Sequence, residues 1–409
     1  MRKEPFVAID VGTTKVCCLM GHVEDGGSVQ VLGVGLSPSK GMHKGLVVNI
    51  DEAKETIRES IREAEHSSGL LISSAFVGIT GRHISCANKK GTVATVRHDR
   101  LVMPSDLERA LEAARRVELP PDKKLLHVIP RQYVINGQTR VKNPVGMHGV
   151  RVDLEAHVVT AGVASVQNLL KCVRGAGVDV EDIILEPLAS SEAVLTPDER
   201  EAGVLLADIG GGTTDIAVFR EGSIWHSAVL PVAGYQITRD IAIGLGIPFE
   251  VAEEVKRKYG RVSLDGEDLE AETINVAPGH SILYKDLCEI IRARVEEILK
   301  LTLLELPRFN YKSIIPAGVV LTGGSSNLPG IDSLAREIFE LSVRVGKPRK
   351  VFGIADEVLG DPAYATGVGL LLWGNNHKPG EGLPSQGFFA NFGKALRRFF
   401  FRLRKLFIF

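Results

Sequence analysis

Short apolar runs of β type alternate along this chain with amphipathic helical stretches, and two of the runs are built alike. Phe6-Val7-Ala8-Ile9 leads into Asp10-Val11-Gly12-Thr13-Thr14-Lys15, and a second apolar run follows from Val16 to Met20. In the second half, Val204-Leu205-Leu206-Ala207 leads into Asp208-Ile209-Gly210-Gly211-Gly212-Thr213-Thr214-Asp215, followed by Ile216 to Phe219. Each reads as strand, tight glycine turn, strand. Residues 6–48 as a whole read as strands joined by glycine turns at Asp25-Gly26-Gly27 and at Gly33 to Gly35. A helix is predicted from Asp51, taken as its N-cap, with Ile57, Ile61 and Ala64 on one face and Gly69 as the stop. Ala75 to Ile79 is the next strand.

The pattern then changes. Residues 84–160 combine a strand over Gly91 to Val96, a helix opened by the capping box Ser105-Asp106-Leu107-Glu108, and strands around 127–129 and 156–159. This reads as an α+β insert hung on the first half. A helix over 165–175 returns to the main fold, and Leu185 to Ala193 begins another with proline in its first turn. The second half starts near Gly203, and its middle, 235–306, reads as largely helical, with one apolar face along Leu287 to Leu306. Val319-Val320-Leu321 is a strand that ends in the turn Thr322 to Gly330, and Pro362 to Leu370 is a small-residue helix. The organisation expected is a first-lobe core (1–83, returning at 161–200), the insert (84–160), a second-lobe core (201–229, returning at 307–358) with a subdomain (230–306), a connecting helix (359–373), a flexible linker (374–387) and a terminal helix (388–409).

A chain of 409 residues exceeds one ordinary core. Apolar residues are 44% and charged residues 24%, as in a soluble globular protein, and no apolar run is long enough to span a bilayer. Met1-Arg2-Lys3-Glu4-Pro5 leads directly into a strand, so no signal peptide is expected. Cys17, Cys18, Cys86, Cys172 and Cys288 show no paired metal spacing and read as reduced core thiols. The net charge of −1 hides an asymmetry. Lys394, Arg397, Arg398, Arg402, Arg404 and Lys405 crowd the terminal segment, and setting them aside leaves 43 basic against 50 acidic residues. An acidic body argues against nucleic-acid binding and for a local role of the basic end.

The two glycine turns carry candidate phosphate chemistry. Glycine permits close backbone approach, and successive N–H groups in a tight turn form an anion-binding nest. Gly12, Gly210, Gly211 and Gly212 supply the nests, Thr13, Thr14, Thr213 and Thr214 add hydroxyls, and Lys15 adds a point charge. Asp10 and Asp208 would repel phosphate alone and make sense with Mg²⁺ held through its waters between them and the ligand. A plain hairpin turn is the competing explanation for either loop; two such loops in one setting count against it. Neither is a Walker A or a Rossmann glycine motif.

With these loops in place, the chain resembles the actin and sugar-kinase superfamily, whose related lobes close over ATP-Mg²⁺. Five segments stand in that family's order: the loop at 9–15, a connecting helix at 185–194, the loop at 208–215, an adenosine loop at 321–330 and a second connecting helix at 362–373. The resemblance implies an α/β actin-like fold with two related lobes. It also implies that Gly234, Glu253 and Lys256 flank the nucleoside, with Gly323, Gly324 and Ser325 against it. Glu186 occupies the place of the residue that orients the attacking water. An equally good reading of Glu186 is a helix-start carboxylate favoured by the macrodipole.

On a helix of about 100° per residue, Phe388, Phe389, Phe392, Leu396, Phe399, Phe400, Leu403, Leu406 and Phe407 share one arc of about 120°. Arg397, Arg398, Arg402 and Lys405 lie opposite, with Lys394. Apolar burial together with roughly 1 kcal/mol per basic residue near anionic lipid suffices for in-plane anchoring. Insert and amphipathic end together make the chain similar to the FtsA family of cell-division proteins. The segments Gly41-Met42-His43-Lys44-Gly45 and Leu185-Glu186-Pro187-Leu188-Ala189-Ser190 strengthen the likeness. Membership implies slow ATP hydrolysis, self-assembly into filaments, contacts to other divisome proteins through the insert, and binding of the FtsZ C-terminal peptide by the second-lobe subdomain. It also implies a peripheral site on the cytoplasmic membrane where division occurs. The alternatives are a PilM-like pilus-assembly protein, which should lack the basic aromatic end, and a small-molecule kinase of the same fold, which needs an aspartate base that no residue here offers convincingly.

Overall fold

One strand order, used twice, organises the molecule. The computed structural model describes residues 5–24, 28–263, 273–277, 280–307, 310–349 and 351–376. The chain opens with strands β1 (Phe6–Val11), β2 (Lys15–Val23) and β3 (Val29–Pro38), then the short pair β4 (Met42–His43) and β5 (Leu46–Val47), helix α1 (Ile50–Ser68) and β6 (Ser74–Ile79). Next come β7 (Ser85–Ala94), α2 (Pro104–Arg115), β8 (Lys123–Ile135), β9 (Thr139–Val141) and β10 (Arg151–Gly162). Helix α3 (Val163–Gly175), β11 (Asp179–Leu185), α4 (Glu186–Val194) and α5 (Pro197–Ala202) follow. The second half contains β12 (Val204–Ile209), β13 (Thr214–Arg220), β14 (Ser223–Leu230), α6 (Gly234–Leu245), α7 (Phe249–Tyr259), β15 (Thr273–Ala277), β16 (His280–Leu283) and α8 (Tyr284–Leu304). It continues through α9 (Tyr311–Ile314), β17 (Val319–Thr322), α10 (Ile331–Phe339), β18 (Val343–Val345), β19 (Val351–Gly353), α11 (Asp356–Leu359) and α12 (Ala365–Asn376).

The first sheet runs β11-β6-β1-β2-β3-β19 and the second β14-β13-β12-β17-β18. In both, an antiparallel meander of three strands (β1 to β3; β12 to β14) meets two strands parallel to its first member. The connecting helices α4 and α12 lie in a core shared by the two sheets, with Leu188, Ala189, Val368 and Leu371 packed among Ala8 and Leu19 of one and Leu206 and Val320 of the other. Helices α1 and α3 cover the outer face of the first sheet, and α6, α7, α8 and α10 cover that of the second. The segment between β6 and α3 forms its own four-stranded antiparallel sheet, β7-β10-β8-β9, with α2 on one face and a separate small core.

Several local expectations need correction. Gly33 to Gly35 do not turn the chain; they lie inside β3. A Cβ on Gly33 would come within 2.5 Å of Ala64 O, and one on Gly35 within 1.8 Å of Ser60 O, so the glycines let α1 lie directly on the strand. The N-cap of α1 is Asn49, whose Oδ1 accepts from the N–H groups of Asp51 (3.1 Å) and Glu52 (3.3 Å), with Asp51 in the first turn. Helix α2 starts earlier than expected, at Pro104, and Asp106 reaches back to accept from the Met103 N–H at 3.0 Å. The strand expected at Gly91 to Val96 overlaps only the end of β7, which starts at Ser85 to match β10 and stops at Ala94, short of Thr95 and Val96. The middle of the second half contains the β15–β16 hairpin as well as helices. Helix α12 continues through Gly374 to Asn376, so the start of the expected linker is helical. The Asp25–Gly27 turn, residues 377–387 and the whole segment 388–409, with every residue of its apolar arc and basic face, lie outside the described residues.

Candidate functional site

The antiparallel pairing of β1 with β2 closes the first loop over residues 12–14, with Val11 opposite Val16. That of β12 with β13 closes the second, with Asp208 opposite Asp215 and Gly210 N–H donating to Thr213 O at 2.9 Å. Equivalent positions in two duplicated sheets bring the loops face to face. A Cβ on Gly211 would lie 2.4 Å from Thr14 Cγ2, and one on Gly212 the same distance from Thr13 Oγ1. The second loop is clasped from behind: the Gly234 N–H donates to Gly210 O (3.1 Å), the Tyr235 N–H to Gly211 O (2.7 Å) and Ser325 Oγ to Gly210 O (2.9 Å). The start of α6 and the turn after β17 therefore hold its carbonyls, while the Gly210 N–H is committed within the loop.

The side chains divide into two sets. Thr13 Oγ1 accepts from the Gly45 N–H at 3.3 Å, whereas Thr214 Oγ1 is committed to Val232 O at 2.7 Å and braces the loop. Lys15 Nζ donates to Ala363 O at 2.5 Å and lies 4.5 Å from the centre of the Tyr364 ring. At the floor of the cleft, Asp10, Glu186, Asp208 and Asp215 are all buried. Burial, opposed by Lys15 and reinforced by Asp208, lifts the Asp10 carboxyl to about 6. Asp215 rises to about 8, again mainly through burial, against the hydrogen bond it accepts from Thr80. Glu186 is pushed well above the carboxylate range by burial and then by Asp10, Asp215 and Asp208. Asp208 is raised by burial and partly relieved by hydrogen bonds from Ser190 Oγ (2.5 Å, on α4) and Thr366 Oγ1 (3.1 Å, on α12).

Four buried carboxyls share one lysine, so the cleft lacks positive charge. That deficit suits a divalent cation. Among the described residues no group of three or more His, Cys, Asp or Glu side chains is arranged to hold a metal directly. Carboxylate oxygens such as those of Asp10 and Asp208 are the donors that a hard divalent cation takes, directly or through its waters.

Beyond the loops, Lys256 Nζ donates to Glu253 Oε2 (2.6 Å), Thr238 Oγ1 (2.8 Å) and Gly234 O (3.3 Å). These residues form no exposed ion pair: the Lys256 side chain is only 13% accessible, and burial lowers its pKa against the pull of Glu253. Gly234 connects this cluster to the adenosine loop, since a Cβ there would lie 2.7 Å from Ser325 Oγ. Gly323 N–H donates to Pro362 O at 3.2 Å, fixing the turn of Gly323, Gly324 and Ser325 against the segment before α12. The structure thus gathers Asp10, the two loops, Glu186, Asp208, Gly234, Glu253, Lys256 and Gly323 to Ser325 around one cleft. Sequence reasoning passed over Asp215, Thr80, Ser190, Thr366 and Tyr364 as site residues. Only Asp215 carried a signal, because an antiparallel hairpin must set it opposite Asp208.

Two family profiles match the chain: "Cell division protein FtsA" over residues 205–369 and "SHS2 domain inserted in FTSA" over residues 81–160. Curated proteins named Cell division protein FtsA include that of Pseudomonas aeruginosa, 47% identical over 90% of this chain and 89% of its own length. That of Neisseria meningitidis is 40% identical over 91% and 92%, and that of Escherichia coli 37% identical over 98% of each. Among solved structures, the PilM-PilN type IV pilus biogenesis complex superposes with a TM-score of 0.67 at 20% identity, covering 91% of this chain and 99% of the other. MreB5 of Spiroplasma citri bound to ADP gives 0.55 at 14%, covering 92% and 98%. These last likenesses establish an actin-like ATPase fold and nothing finer. The sequence relatives go further, and by them the chain belongs to the FtsA family of cell division proteins.

Proposed function

We propose that the chain binds ATP with Mg²⁺ between its lobes and works as a membrane-held scaffold in cell division. The N–H groups of Gly12, Gly211 and Gly212, with the hydroxyls of Thr13 and Thr14, hold the phosphates, while the Gly210 N–H and the Thr213 hydroxyl brace the loop by donating to Thr213 O and to Asp215 Oδ2. Lys15 leaves the Ala363 carbonyl to add its charge. Glu253, Lys256, Gly234, Gly323, Gly324 and Ser325 border the nucleoside. Asp10 and Asp208 would hold Mg²⁺ through its waters, and the ion would supply charge neutralisation for the phosphate oxygens. Glu186, whose carboxyl is pushed toward its neutral form by burial and then by its aspartate neighbours, orients water by hydrogen bonding more than it takes a proton. That favours slow turnover suited to tuning assembly.

Nucleotide-dependent lobe closure favours stacking of subunits. The amphipathic arc from Phe388 to Phe407 holds the filament on the cytoplasmic face of the membrane, where many weak tails act together. The second-lobe subdomain carries the FtsZ C-terminal peptide, and the insert meets other divisome proteins. The observation that carries the reading is the pair of opposed glycine turns above a carboxylate cluster short of positive charge. Isothermal titration with ATP-Mg²⁺ tests it. Gly211→Val, which fills the space against Thr14, should abolish binding while the free protein melts nearly as before; unchanged affinity would overturn the assignment.

A further inference from the structure

Below the first glycine turn lies a narrow cavity of about 10 Å³, room for about one water, that the reading above leaves unused. Val11 and Leu169 form apolar parts of its wall, and Thr80, His83, Ser165 and Glu186 bring polar groups to it. His83 stands on the turn that leads from β6 into the insert. The Ile84 N–H donates to Gly81 O at 3.0 Å, and Lys123 Nζ donates to His83 O at 2.7 Å, so the backbone there is fixed. Both ring nitrogens of His83 are buried and make no hydrogen bond to the described residues. Glu186 faces the same cavity from the start of α4, and no hydrogen-bond donor of the described residues shapes its carboxyl, only burial and like charges.

A buried imidazole without a partner and a carboxyl that accepts no hydrogen bond from the described residues meet on one cavity, and that calls for an explanation. A neutral imidazole offers one donor and one acceptor, and a carboxyl offers complementary sites. A space too narrow for a substrate but lined by several polar groups suits ordered water. We propose that a water in this cavity joins a ring nitrogen of His83 to the Glu186 carboxyl, making His83 a positioning residue for Glu186. The inference rests on Glu186 as the group that orients the attacking water. Thr80, on the same cavity, donates to Asp215, so the water and this hydrogen bond fix the carboxylate floor from beneath.

The full chain provides the test in two arms. A high-resolution crystal structure should show a water within hydrogen-bonding distance of both His83 and Glu186; a dry cavity, or a ring bonded only to protein, overturns the proposal whatever the enzyme does. Single-turnover hydrolysis should slow about tenfold in His83→Leu, the effect of one lost hydrogen bond, with ATP affinity and melting temperature held. His83→Asn or His83→Gln, which keep a polar atom, should recover part of the rate. Wild-type rates in His83→Leu beside a slow Glu186→Gln would refute the link. If Glu186→Gln itself hydrolyses normally, the role given to Glu186 fails, while the crystallographic water still decides whether the two side chains are joined.

Discussion

Asp215 owes its chemistry to depth. Its carboxyl rises from the ordinary 3.8 to about 8, mainly by burial, and Asp10 rises to about 6. A folded state that keeps protons which the unfolded chain releases is favoured at low pH. Its advantage is full below about 3.8 and is lost as pH climbs through about 6 and then about 8. The nucleotide-free protein should therefore lose melting temperature between neutral and mildly alkaline pH. Asp215→Asn, of the same shape but unable to titrate, should flatten that slope, and thermal melts across the range read the difference. Added ATP-Mg²⁺ should raise stability most at the alkaline end, where the carboxylates are ionised. An Asp215→Asn protein with the wild-type slope would place the titration elsewhere.

At the scale of elements, close approach explains where glycine is required. Helix α1 rests on β3 through Gly33 and Gly35, and no side chain fits between the strand and the Ser60 carbonyl. Gly35→Ala should cost ~1–3 kcal/mol by overpacking, seen as a lower denaturant midpoint with little change in slope. An unchanged midpoint would mean that the helix lifts off freely. The same contact explains why a double glycine inside an apolar run was read as a turn. The period of the run cannot distinguish a bend from a strand crossed by a helix backbone. Cap positions slipped for a related reason: Asn49 and Asp51 are both good caps, and Asn49 is the one placed where α1 leaves the Gly41 loop, whose carbonyl accepts from the Asn49 N–H at 3.1 Å.

For the whole molecule, the insert touches the second lobe as well as the first. Asn88 Nδ2 donates to Trp225 O at 3.1 Å, His157 bridges Asn88 Oδ1 and Ser227 Oγ at 2.8 Å each, and the Arg131 guanidinium lies 4.1 Å from the centre of the Trp225 indole. An assembly contact made on the insert is thus attached to the lobe that carries the second phosphate loop. Among the described residues no helix is long and apolar enough to cross a membrane; the proposed membrane attachment is read from the sequence of the terminal segment alone. Flotation on anionic vesicles should fall to the level seen with neutral lipid once residues 388–409 are removed; equal flotation would end that idea. Capture of the FtsZ C-terminal peptide should be lost when the 230–306 region is exchanged and should survive removal of the tail.

The sequence by itself determined the duplicated strand-turn-strand units and the order of the five superfamily segments, because each is written in local spacing and in residues with special backbone properties. It also named most of the residues around the cleft, since glycine turns and their flanking acids lie together in the chain. Only the tertiary structure decided which groups stand against one another across long stretches of chain. Ser190 and Thr366 meet on Asp208, Thr80 meets Asp215, and His83 shares a cavity with Glu186. Burial and the facing of two lobes are properties of the packed molecule, and they turn four ordinary carboxyls into a floor that holds its protons more tightly than free carboxylates do.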